Sequence, residues 1–127
     1  MENILQCLKA LADEKRIRIL MLLREQELCV CQLMGVLRIS QPLVSRHLSV
    51  LKGAGVVQSR REGKLMFYSI SDQAMAGGKS GLIQLVRESL NGDAAIEQDL
   101  KRLRECKEIE KETGLCTMEM HEEFARS

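Results

Sequence analysis

A chain of 127 residues with a formal charge of +1 is long enough to bury one apolar core without disulfides or a structural metal. Its 2% aromatic content, with no Trp, argues against stacking on single-stranded bases, and so against RNA as a partner. No apolar run approaches the ~18 residues of a membrane span, and Met1-Glu2-Asn3 lacks the basic and apolar parts of a secretory signal, so the expected compartment is the cytoplasm, with no membrane partner.

In chain order, Ile4, Leu5, Leu8 and Leu11 are spaced as the apolar stripe of a first helix over residues 2–11. Asp13 is placed to N-cap a second helix carrying Ile17, Ile19, Leu20, Leu22 and Leu23, closed by Arg24-Glu25-Gln26-Glu27. Val30, Leu33, Met34 and Leu37 fall at i, i+3, i+4 and i+7, the signature of a two-turn helix. Ser40 is placed to cap a fourth helix with Pro42 in its first turn, where no intrahelical donor is needed. Val44, Leu48 and Leu51 face inward there, and Gly53-Ala54-Gly55 ends it. Beyond Gly55 the pattern becomes strand-like over 56–61 and 64–70, joined at Glu62-Gly63 in a hairpin. Residues 74–81, with Gly77, Gly78 and Gly81, read as a loop. Leu82, Leu85, Val86 and Leu90 mark another helix. Ile96, Leu100, Leu103 and Cys106 mark a last, heavily charged one over about 94–112. Residues 113–127 carry no clear pattern.

Two short helices, a tight turn and a β-hairpin make a winged helix-turn-helix, mainly α, in the order ααααββα with one extra C-terminal helix. The expected division is a DNA-binding and dimerisation domain over 1–92 and a charged helical extension, mobile in part, over 93–127. Charge follows the same division. Residues 38–64 hold six basic residues against one acidic, whereas 93–127 hold ten acidic against six basic. The basic middle points to double-stranded DNA as its partner. On the fourth helix Ser40, Gln41, Ser45, Arg46 and Ser49, with His47 beside them, are the candidates to meet DNA, since Gln suits adenine, Arg suits guanine and Ser suits bases or phosphates. Arg60, Arg61 and Lys64 at the hairpin tip are placed to neutralise phosphates or enter a minor groove.

Several segments then match one family in its own order. Leu11-Ala12-Asp13-Glu14-Lys15-Arg16-Ile17-Arg18-Ile19-Leu20 resembles the opening of the ArsR/SmtB family of metal-responsive repressors. Ile39-Ser40-Gln41-Pro42-Leu43-Val44-Ser45-Arg46-His47-Leu48 resembles its recognition helix, and Lys52–Val57 followed by Arg60–Lys64 and Tyr68 its passage into the wing. The resemblance covers roughly residues 4–90. It implies a homodimer built from residues 2–11 and 82–92, and repression of an operon that is relieved by a ligand. It does not imply an enzyme, and no C-x-x-C or neighbouring His suggests thiol catalysis.

Five cysteines in a reducing compartment suggest free thiols rather than a disulfide framework. Glu27-Leu28-Cys29-Val30-Cys31-Gln32-Leu33 resembles the segment of arsenite- and antimonite-sensing family members. The residue type fits, because such soft acceptors favour thiolate sulfur. The expected inducer is therefore As(III) or Sb(III), with no permanent cofactor; Cd or Pb, or oxidation of the thiols, are the alternatives. Positions i and i+2 of a helix point about 200° apart, so Cys29 and Cys31 are expected to chelate only if the first turn of the third helix unwinds or tilts. Trivalent arsenic usually takes three sulfurs, and the place where relatives supply the third is Met34 here. Cys106, Cys116 and Cys7 are the candidates for that role, and a site of two sulfurs would favour a methylated arsenical. With no His between Leu82 and Gly92, the family's zinc-type site is not expected.

Overall fold

The computed structural model describes residues 1–113, with side chains described through residue 110. The element order is α1 (Glu2–Leu11), α2 (Glu14–Glu25), β1 (Leu28–Cys29), α3 (Val30–Leu37), α4 (Gln41–Gly53), β2 (Val57–Glu62), β3 (Leu65–Ile70), α5 (Asp72–Ala76), α6 (Lys79–Ser89) and α7 (Ala94–Thr113). This is the expected mainly helical winged helix-turn-helix, with additions.

Helix α2 starts where Asp13, in an extended conformation, accepts a 3.1 Å hydrogen bond from the Arg16 N–H, satisfying one of the donors that a helix start leaves unpaired. Its residues Ile19 to Leu23 are all buried, so α2 forms the centre on which α1, α4, α7 and β3 pack. Full burial of each such side chain contributes about 1.5–3 kcal/mol before chain entropy is counted. On α1 the inward residues are Cys7, Ala10 and Leu11. The expected stripe is rotated: Ile4 (49% exposed), Leu5 (46%) and Leu8 (46%) face outward, as does Leu85 (58%) on α6.

Ser40 occupies the N-cap of α4, although its hydroxyl makes no capping bond, and Pro42 lies in the first turn. The helix closes as expected at Gly55, whose φ of 74° lets the Val56 N–H reach back to the Leu51 carbonyl at 3.0 Å. Lys79, opening α6, donates to the Ala54 carbonyl at 3.0 Å and so braces the same helix end.

Strands β2 and β3 pair antiparallel from Val57↔Ile70 to Glu62↔Leu65. The turn therefore falls on Gly63-Lys64, one residue later than expected, with Gly63 at φ 62°. Two elements were not expected. Strand β1 adds Leu28↔Tyr68 and Cys29↔Phe67 to the far side of β3, giving the order β1-β3-β2. Part of the anticipated 74–81 loop is helix: Ser71 caps α5 by accepting from the Ala74 N–H at 3.0 Å while donating to the Gly55 carbonyl at 2.7 Å, and α6 starts at Lys79.

Helix α7 begins where Asp93 accepts from the Ala95 N–H at 2.9 Å and runs back across α2 and α3. Arg18 donates to both oxygens of the nearly buried Asp99 (2% exposed side chain) at 2.8 Å each, and Leu103 and Cys106 join the main core. Hydrogen bonding to Asp99 holds the Arg18 guanidinium above its usual pKa against the opposing effect of burial, and the charges of Asp99 and Glu14 add to it. Among the described residues no helix is long and apolar enough to cross a membrane.

Candidate functional site

The thiol pair lies where β1 runs into α3. Gln26 leaves α2 in an extended conformation, and Leu28-Cys29 then hydrogen-bonds to β3. Cys29 is not the first residue of the helix but its N-cap, with φ −88° and ψ 167°. The expectation of a 200° separation, which treated both cysteines as helical, is thereby corrected. An extended N-cap folds its side chain back over the first helical turn, and the Cys31 thiol, half-buried, hydrogen-bonds to Cys29. The two sulfurs already adjoin without any unwinding.

Cys29 itself is buried, at 2% exposure. Its pKa is lowered to about 6, first by the Cys31 hydrogen bond; burial opposes this, and the backbone N–H groups of Gln32 and Cys31 add to the lowering. A helix N-terminus is a place where a thiolate is favoured. Gln32 completes a reciprocal cap: its side-chain oxygen accepts from the Cys29 N–H at 2.9 Å. The Gln32 amide nitrogen meanwhile donates to both Glu110 oxygens of α7, at 3.2 and 3.3 Å.

The other sulfurs separate clearly. Cys106 is buried (9% exposed) on α7, one turn before Glu110, and its thiol is pushed up by burial, then by Glu110 and Glu105. Cys7 is enclosed on α1, which packs on α2 and α4. Met34 is partly buried against the core, and Cys116 lies outside the described residues. Among the described residues no three His, Cys, Asp or Glu side chains stand together as a ready-made metal site.

On α4 the buried Val44, Leu48 and Leu51 seat the helix, and Ser40, Gln41, Ser45, Arg46 and Ser49 are all exposed. His47 is not beside them. It is buried at 6% exposure, with Nδ1 3.4 Å from an Arg16 nitrogen, because it falls on the inner side next to Leu48. At the wing, Arg61 and Lys64 are exposed, with no ion-pair partner among the described residues. Arg60 is exposed but engaged: it forks onto Glu27 at 2.8 and 2.9 Å, pairs with Glu62 at 2.8 Å and lies over the Phe67 ring. Hydrogen bonds to these carboxylates raise its pKa, and its guanidinium in turn lowers that of Glu27. Because Glu27 precedes β1, Arg60 ties the wing to the thiol segment. Neither β1 nor this tie had a signal in the sequence, since two residues show no alternation.

A family profile described as "Bacterial regulatory protein, arsR family" matches residues 13–59, from the cap of α2 into β2. The "Arsenic resistance transcriptional regulator ArsR1" of Pseudomonas putida is 39% identical over 90 residues, covering 68% of this chain and 70% of that one. The chain belongs to the arsR family. The "Cadmium resistance transcriptional regulatory protein CadC homolog" of Staphylococcus aureus is 39% identical over 72 residues, 56% of this chain and 60% of that one. The homodimeric winged helix-turn-helix DNA-binding domain Mb0332 of Mycobacterium bovis superposes with a TM-score of 0.62 at 28% identity, covering 73% of this chain and 82% of that one. Across the curated relatives compared, the match spans from 48% to 94% of their length. The arsR profile thus takes in the thiol pair and α4, while α7 lies wholly beyond it.

Proposed function

We propose that this arsR-family protein is a homodimeric transcriptional repressor that releases its operator when trivalent arsenic or antimony binds the Cys29 and Cys31 thiolates. The observation that carries this is the contact between the two thiols at the one point where the wing sheet, the cap of α3 and α7 meet. Soft ions displace thiol protons and prefer sulfur, so a thiol pair already in contact is a chelating edge.

In the DNA-bound dimer, Ser40, Gln41, Ser45, Arg46 and Ser49 face the major groove, and Arg61 and Lys64 take phosphates or the minor groove beside the wing. Arg60 acts through its tie to Glu27, and His47 supports α4 from within. The outward Ile4, Leu5, Leu8 and Leu85 supply the apolar face that two copies cover. Residues 1–92 form the reading and dimerising part, and 93–127 a charged extension whose helix α7 bears on the thiols.

Release follows from what the thiols hold. Chelation replaces the Cys29–Cys31 hydrogen bond and draws on a residue whose backbone is bonded to β3 and whose N–H is held by Gln32. Tension at Cys29 therefore reaches the wing through β3 and reaches α4 through α3, which packs on it. A coupling of about 1–3 kcal/mol gives a 5–150-fold loss of operator affinity.

The test is operator binding with and without arsenite. Cys29→Ser and Cys31→Ser are expected to bind DNA as the parent does and to stay bound when arsenite is added; normal release by either variant removes the thiol pair as sensor. Cadmium and lead belong in the same titration, because two thiolates suit them too and a cadmium-resistance homologue is among the relatives. Release by peroxide without any metal, reversed by reductant, would instead make the adjoining thiols a redox switch.

A further inference from the structure

Helix α7 presents one continuous face to the sensor. Asp99, Arg102, Leu103, Cys106 and Glu110 fall three or four residues apart along it, the spacing of a single helical side. Each is engaged inward: Asp99 with Arg18, Arg102 with the Val36 carbonyl at 3.4 Å, Leu103 and Cys106 in the core, and Glu110 with Gln32. Gln32 is the residue after Cys31, and its other end holds the Cys29 N–H. A single side chain therefore spans from the cap of the thiol pair to α7, and Cys106 stands one turn, about 5.4 Å of rise, from the residue that it reaches.

We propose that Cys106 supplies the third thiolate to trivalent arsenic or antimony held by Cys29 and Cys31, and that closing this bond shifts α7 along α3. It rests on the thiol pair being the ligand site, as proposed above. The charge of Glu110 acts on both the Cys29 and the Cys106 thiol, which agrees with both lying near it. Cys7 is a poor rival because it is enclosed on α1 against α2 and α4, and the thioether of Met34 has no proton to exchange and packs against the core. In the ligand-free arrangement no three such groups among the described residues form a site, so the third bond requires movement. What must yield is the Gln32–Glu110 contact, at 3.2 and 3.3 Å a looser tie than the 2.8 Å Arg18–Asp99 fork that holds α7 to α2.

The chemistry balances without an oxidant. Arsenous acid exchanges three As–O bonds for three As–S bonds, each hydroxide leaves with one thiol proton as water, and arsenic remains trivalent. A methylated trivalent arsenical has only two exchangeable positions, so it needs only Cys29 and Cys31. That difference separates the two arms of the test.

The experiment uses the full chain. Arsenite and methylarsenite affinities are measured for the parent and for Cys106→Ser, Cys106→Ala, Cys116→Ser, Cys7→Ser, Cys29→Ser and Cys31→Ser, with arsenic X-ray absorption to count sulfur neighbours. The parent is expected to give three sulfurs with arsenite. Both Cys106 variants are expected to give two sulfurs and one oxygen, with arsenite affinity down about tenfold or more and methylarsenite affinity unchanged. Arsenite, but not methylarsenite, is expected to alter amide exchange along residues 94–113. Three sulfurs in Cys106→Ser, or loss of the third in Cys116→Ser or Cys7→Ser instead, overturns the assignment. If Cys29→Ser and Cys31→Ser bind arsenite as the parent does, it is the thiol-pair site itself that fails. An intact thermal transition in Cys106→Ala guards against misfolding as the cause.

Discussion

The two working regions of the molecule are built on opposite plans. Helix α4 presents exposed Gln41, Ser45, Arg46 and Ser49 on a floor of fully buried Val44, Leu48 and Leu51. These four side chains make no side-chain hydrogen bond or ion pair among the described residues, so the surface can dock with little rearrangement. At the thiol junction, by contrast, Cys29, Cys31, Gln32, Glu110 and Arg60 are already bonded to one another or to their neighbours. Nothing can bind there without exchanging an existing bond. A rigid face suits recognition, and a pre-bonded junction suits a switch, because only differential contacts between two states can move an equilibrium.

The largest expected effect comes from cutting the junction off from its backing helix. Asp99→Asn leaves the partly buried Arg18 guanidinium without the carboxylate onto which it forks, and breaking one partner of a buried pair costs about 3–5 kcal/mol. Urea unfolding of the variant should show that loss. If the cost stays near zero, the Arg18–Asp99 fork does not anchor α7 and the contrast drawn above weakens.

Next comes the reading face. Arg46→Ala should lower operator affinity by about 1–3 kcal/mol and leave thermal stability and arsenite affinity as they are. Lys64→Ala, at the proposed phosphate contact, should instead weaken binding to all duplexes alike and lower the slope of affinity against salt. Specific loss in the second variant and uniform loss in the first would exchange the roles of helix and wing.

A smaller effect is expected at the cap. Gln32→Leu removes the acceptor for the Cys29 N–H and the donor to Glu110 together, at a cost of about 0.5–2 kcal/mol in stability. Because Val44, Leu48 and Leu51 still seat α4, operator affinity without ligand should change little, whereas arsenite should release DNA at a lower concentration, the α7 tie being already broken. An unchanged arsenite midpoint would mean that Gln32 only caps the helix.

The same division governs how far each region was legible in the sequence. The face of α4 follows from 3.6-residue periodicity and an N-cap, which are local signals, and its exposed polar row falls where that spacing puts it. His47 was misplaced although it lies three residues after Val44 and four before Leu51, within the buried stripe; its polar ring suggested an outward place, and Arg16 across the interface is what it meets. The junction depends on contacts between residues 33 to 78 positions apart, namely Glu27–Arg60 and Gln32–Glu110. No window of sequence contains them. The two-residue strand β1 is set by pairing to β3 rather than by its own propensity, and missing it placed Cys29 inside the helix instead of at its cap.

The smallest prediction concerns His47, the buried group through which α4 meets Arg16 of α2. Burial lowers its pKa first; Asp13 opposes this, and Arg16, Lys15 and Arg46 add to the lowering. The folded pKa therefore lies below the ordinary value near 6.5, and the unfolded chain takes up the proton first as pH falls. Stability contributed by neutral His47 is fully present above the unfolded value and declines as pH drops through it, levelling off below the folded pKa. Protonation also removes the acceptor facing Arg16 at 3.4 Å and sets two cations together between α2 and α4. Thermal melts between about pH 7.5 and 5.5 should show this decline in the parent and a flatter profile in His47→Gln. Operator binding by the parent should weaken over the same window, since α4 is the element loosened, while the number of arsenite-bound thiols stays the same. An equal decline in His47→Gln would assign the pH response to the carboxylates and leave α4 as insensitive to acid as its packed floor suggests.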